Sequence, residues 1–155
     1  MKLHMHLASI KSRPVRLVIA EKGLEVDRAF DLETDVMELN GIATWKQAIT
    51  HLPPTIRSAC AKADVDLSDT QFFVFHQANF NLIDYLMKKM RREMSSTFTN
   101  VERIGNTGAA SVPMALSEAM DADLLPAGEL VALAAVGAGF NSGASVWRWS
   151  PVQGR

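Results

Sequence analysis

Arg103-Ile104-Gly105-Asn106-Thr107-Gly108-Ala109-Ala110-Ser111 is the stretch around which the chain is organised. Glycines stand on both sides of Asn106 and small residues follow it, so an amide side chain is held on a tight turn just where a helix begins. Upstream, His76 ends the apolar run Phe72-Phe73-Val74-Phe75, which reads as a short buried strand. Downstream, Gly137-Ala138-Gly139 permits a sharp reversal with backbone N–H groups turned outward, between an apolar strand Glu129 to Val136 and a returning strand Ser145 to Trp149. A histidine and an asparagine, each delivered from a strand end to a helix start, are two parts of a site.

The remaining elements follow from periodicity. A helix from Asn79 carries Leu82, Ile83, Leu86, Met87 and Met90 on one side, with Lys88, Lys89, Arg91 and Arg92 at its C-terminal end. Cations there complement the helix dipole, or they form a docking patch for an acidic partner. Thr97 to Val101 reads as a strand leading to the Asn106 turn, and Ala109 to Met120 as a helix. Pro126-Ala127-Gly128 makes a turn.

Nearer the N-terminus, Asn40-Gly41 signals a turn before a helical pattern running to Leu52. Pro53-Pro54 is expected to break or kink it, with a second helical segment reaching Ala63 and an acidic loop from Asp64 to Asp69. Residues 1–8 alternate as a strand with one wet face, Val15 to Ala20 forms a second strand, and Glu21 to Asp35 is a charged connection. Alternating strands and helices with a closing apolar hairpin argue for α/β architecture.

At 155 residues, 48% hydrophobic and 21% charged, the chain has the makings of one domain with a real core. Lys+Arg 16 against Asp+Glu 17 gives a net charge of -1, so no global field favours nucleic acid or an anionic membrane. No apolar run approaches the roughly 20 residues that span a bilayer. The single cysteine, Cys60, fits a reducing cytoplasm and lies in an amphipathic helical stretch that suits a buried structural thiol. His4 and His6 share a face, but no third ligand stands near them, so no metal site is expected.

His76, Asn106 and the Gly137 to Gly139 turn can act together. An imidazole N–H and an asparagine NH2 aimed at one carbonyl oxygen would stabilise an oxyanion or enolate. Such donors are worth about 3–4 kcal/mol each in a dry site. This suits carbanion or acyl-transfer chemistry and by itself cleaves nothing.

These motifs, His76-Gln77-Ala78-Asn79, Arg103 to Pro113, and Gly137-Ala138-Gly139-Phe140 with Gly143-Ala144, jointly resemble the C-terminal half of β-ketoacyl-acyl carrier protein synthase III, in the thiolase superfamily. The resemblance covers roughly residues 36 to 149. It implies a thiolase-like half-domain, a mixed five-stranded sheet with helices on both faces, over residues 36–155. Residues 1–35 would then be the tail of a missing N-terminal half. The family's triad is Cys-His-Asn, which puts His76 and Asn106 in the histidine and asparagine roles, activating malonyl-carrier decarboxylation and holding the enolate oxygen. The backbone N–H of Ala138 matches the oxyanion-hole position, where a glycine often stands. Lys88 and Lys89 match a basic pair on the carrier-docking helix, and Gln77 to Asn81 a carrier- or coenzyme A-binding segment, although Asn81 stands where an arginine is common.

No bound cofactor is implied, the phosphopantetheine thioester of coenzyme A or of acyl carrier protein being the substrate. The family's nucleophilic cysteine belongs to the N-terminal half, and Cys60 falls in the wrong place for it. The expected function is therefore an acyltransferase that works only with a cysteine-bearing half or partner chain, within an oligomer. The rival reading is a non-catalytic carrier-binding or scaffold subunit. A pure scaffold has no physical need for both His76 and Asn106.

Overall fold

The computed structural model describes residues 2–4, 27–29, 41–125, 127–137 and 140–150. The chain divides into two compact units, Met1–Leu39 and Asn40–Arg155. In the first, β1 (Lys2–His4) pairs in parallel with β2 (Asp27–Ala29). The rest of the strand expected over residues 1–8, the Val15 to Ala20 strand and the side chains of His4 and His6 lie outside the described residues.

The second unit is built on three strands, β3 (Thr70–Phe75), β4 (Leu130–Gly137) and β5 (Asn141–Arg148), in that order across the sheet. β3 runs parallel to β4 and β5 antiparallel to it, so the sheet is mixed. The register slips between Thr70 and Phe72, where the Gln71 side chain accepts from the Leu130 N–H at 2.9 Å and replaces a ladder bond.

Helices cover both faces, and the period of two along β3 decides which side chain meets which helix. Phe73 and Phe75 point to one face and pack with Ala48, Leu52, Ile56 and Cys60 of α1 (Gly41–Lys62) and with Leu82, Ile83, Leu86 and Met87 of α2 (Phe80–Lys89). Phe72 and Val74 point to the other and meet Ala115 and Ala119 of α4 (Ser111–Asp121). Between them in sequence, α3 (Val101–Ile104) is a single turn.

The long helices close alike. N–H groups of Val65, Arg92 and Leu124 reach back five residues to the carbonyls of Cys60, Met87 and Ala119, while Asp64, Arg91 and Asp123 take positive φ. After α1 comes a turn of 3₁₀ helix, Leu67–Asp69, whose Asp66 cap accepts from the Ser68 backbone and hydroxyl. Those two bonds, the backbone one foremost, hold the Asp66 carboxyl below the usual carboxylate range.

Three expectations need correction. α1 is one continuous 22-residue helix that contains Pro53 and Pro54. A proline at 53 cannot bond the Ile49 carbonyl, and the ammonium of Lys89 on α2 takes that oxygen at 2.7 Å instead. Thr55 Oγ1 donates to the His51 carbonyl at 2.7 Å, an oxygen that neither proline frees. The carbonyl freed by Pro53 is thus taken by a side chain, and apolar packing of Leu52, Pro53 and Ile56 holds both halves on the sheet.

Thr97 to Val101 is not a strand. It touches β3 through one parallel bridge, Phe73 to Thr97, and Val101 already begins α3. Its polar groups are satisfied by side chains: Thr97 Oγ1 donates to the Phe73 carbonyl at 2.7 Å, and the Gln77 amide serves Phe98 and Asn100. The sheet of this unit accordingly has three strands among the described residues, where five were expected. Among those residues no helix is long and apolar enough to cross a membrane.

Candidate functional site

The segment that follows β3 gives each of its polar residues a different task. His76 continues the strand by one bond, its N–H donating to the Ala134 carbonyl at 2.8 Å, which leaves the imidazole half-buried at the sheet's end. Its Nδ1 is hydrogen-bonded to the Oγ of Ser111 at the start of α4. Gln77 turns inward and is fully buried: Nε2 donates to the carbonyls of Phe75 at 3.0 Å and Phe98 at 3.2 Å, and Oε1 accepts from the Asn100 N–H at 3.0 Å. Asn79 caps α2, its side chain accepting from the Asn81 N–H at 2.8 Å.

The Asn106 turn is held from both ends. Before it, Arg103 pairs with Glu118 of α4, and the Asn100 amide donates to the same carboxylate at 3.2 Å. After it, Ser111 fixes the chain to His76 and to the Gln77 N–H, 3.2 Å away. Gly105 at φ 68 and Gly108 at φ 62 supply the left-handed backbone that the tight turn requires. Asn106 itself is exposed, and its Oδ1 accepts from the Gly108 N–H at 2.9 Å. That bond orients the amide and leaves the NH2 as the donor it presents.

The carrier-binding candidates divide. Gln77 lies in the interior with its amide engaged on backbone groups, so its side chain is part of the framework and not a surface contact. Asn81 is exposed on the first turn of α2. Lys88 is exposed and paired with Asp84 one turn back at 2.7 Å, and Lys89 is exposed while holding the Ile49 carbonyl. Arg92 is drawn inward, donating to Leu67 and Ser68 carbonyls with its guanidinium 5.7 Å above the Phe73 ring.

Ala138 lies outside the described residues. Two residues on, Phe140 takes φ 44, unusual for an aromatic residue, with its ring centroid 5.7 Å from that of His51. Cys60 is a buried free thiol 3.9 Å from Thr70 Oγ1, which agrees with the structural reading. Among the described residues no cluster of histidine, cysteine or carboxylates is built to hold a metal.

Sequence reasoning misses Ser111. It ends the small-residue run, and a serine opening a helix reads as a turn or cap residue. Its partner lies 35 positions away in sequence, so no local pattern discloses it.

A family model described as 3-oxoacyl-[acyl-carrier-protein (ACP)] synthase III C terminal matches residues 60–149. The beta-ketoacyl-[acyl-carrier-protein] synthase III of Pyropia yezoensis is 33% identical over 111 residues, which are 72% of this chain and 34% of that protein. The synthase III of Pasteurella multocida is 31% identical over 146 residues, 94% of this chain and 44% of its own. A solved synthase III from Thermus thermophilus superposes with a TM-score of 0.72 at 34% identity, covering 76% of this chain and 36% of that one. The chain therefore spans under half the length of these relatives.

Proposed function

The chain belongs to the 3-oxoacyl-[acyl-carrier-protein] synthase III C-terminal family, and on that premise we propose that it is the C-terminal domain, residues 36–155, of an acyltransferase that condenses an acyl thioester with a malonyl-carrier protein. Loss of carbon dioxide from the malonyl group leaves an electron pair shared between the α-carbon and the thioester oxygen. His76 and Asn106 donate N–H bonds to that oxygen and so stabilise the enolate. The carbanion then attacks an acyl group carried on a cysteine, whose thiolate departs. The cysteine is supplied by a half or partner chain outside these residues, because Cys60 is buried in the α1 core. The backbone N–H of Ala138 serves as the oxyanion donor for the acyl-transfer step. Alone, the chain condenses nothing.

The single observation that supports this reading best is the Ser111 bridge. It ties the imidazole at the end of β3 to the helix that the Asn106 turn leads into, so both donors are anchored to one rigid corner. For the carrier, Lys88 and Lys89 remain the candidate contacts, with Asn81 beside them on α2.

The test is reconstitution with a cysteine-bearing N-terminal half. His76→Ala and Asn106→Ala should each lower malonyl-carrier decarboxylation by roughly 100-fold or more, the scale of losing one oxyanion donor, while association with the half is retained. Undiminished decarboxylation in both variants would sink the assignment.

A further inference from the structure

A serine hydroxyl on a histidine ring commonly means an activated nucleophile. Here that role is closed to Ser111, which is fully buried beneath the corner and has no exposed surface for a substrate to reach. Its contacts point to another task. Oγ has one hydrogen to give and two lone pairs to offer. The Gln77 backbone N–H occupies one lone pair.

The contact with His76 Nδ1 then has two possible senses. If Nδ1 carried the ring proton, Oγ would accept twice, and its own hydrogen would be stranded, since Ser111 has no further polar partner among the described residues. A buried donor without an acceptor is disfavoured. If Nδ1 is bare, the hydroxyl donates to it, and the Oγ hydrogen, Nδ1 and the Gln77 N–H are all paired.

We infer that Ser111 is a positioning residue that holds His76 as the Nε2–H tautomer. The ring proton then sits on Nε2, which makes that nitrogen a donor and not a base. This deepens the enolate-stabilising reading and rests on it only for the identity of the oxygen that receives the Nε2–H. Gln77 is the other half of the device. Its fully engaged amide fixes the backbone N–H that occupies Ser111 and so decides the direction in which the hydroxyl points.

The experiment is nitrogen NMR of the full chain labelled with 15N-histidine at neutral pH, which distinguishes a bare ring nitrogen from a protonated one. The unaltered protein should show His76 with a bare, hydrogen-bonded Nδ1 and a protonated Nε2. Ser111→Ala should convert that single-tautomer signature into an averaged pair, and Ser111→Thr, which keeps the hydroxyl, should restore it. A protonated Nδ1 in the unaltered protein would overturn the inference without any variant having to fold. An unchanged single tautomer in a folded Ser111→Ala protein would remove Ser111 from the role. Neither readout needs a substrate or the missing cysteine, so failure here and failure of the decarboxylation test are separate results.

Discussion

The two faces of the three-stranded sheet are built from different materials. On the α1 and α2 side, Phe73 and Phe75 stack with ring centroids 6.2 Å apart among leucine, isoleucine and methionine side chains. On the α4 side the apolar cluster is smaller, with Ala115 and Ala119 letting the helix approach closely, and a buried polar network of Gln77, Asn100 and Ser111 runs along its margin. The first face is non-directional and supplies burial, at about 1.5–3 kcal/mol for each large side chain. The second supplies direction, because hydrogen bonds fix angles as well as distances. The candidate site sits on the directional side, where imidazole and amide must be aimed.

The comparison can be broken by mutation. The largest effect is expected for Phe73→Ala, which empties a fully buried position between the helices and the sheet. It should lower unfolding stability by about 3–5 kcal/mol in urea titration, and a loss below about 1 kcal/mol would mean that this face is not the main core.

Next comes Gln77→Leu, of similar volume but without the amide. It orphans the Asn100 N–H and the Phe75 and Phe98 carbonyls. A loss of roughly 2–4 kcal/mol is expected from stranded buried groups, together with amide resonance shifts reaching the Asn106 turn. Stability lost with that turn unmoved would show that the network does not hold the site.

The smallest effect tests the sutured helix. Lys89→Ala should cost about 0.5–1 kcal/mol by freeing the Ile49 carbonyl, more than the roughly 0.3–0.5 kcal/mol expected for Lys88→Ala, which only loses its pair with Asp84. Equal losses would take away the special role of Lys89 beside the prolines. The pair also sharpens the docking question, since Lys88→Glu can be read for carrier binding with little structural disturbance.

Much of this was legible in the chain. Period two in Phe72 to Phe75, the apolar stripe of α2 and its Asn79 start, the all-apolar β4 and the glycines around Asn106 are local patterns, and local backbone preference and burial determine them. The prolines misled because a proline removes a bond within its own helix, whereas the Lys89 ammonium that satisfies the freed carbonyl comes from another element. Thr97 to Val101 misled because strand-like composition does not reveal that a buried glutamine will take the place of a ladder.

The sequence by itself therefore determined the α/β class and most of the elements, and it singled out the two residues proposed to carry the chemistry. Only the tertiary structure decided that Gln77 is framework and that Ser111 holds His76. A hydrogen bond between residues 35 apart is fixed by how β3 and α4 pack, and no periodicity along the chain encodes it.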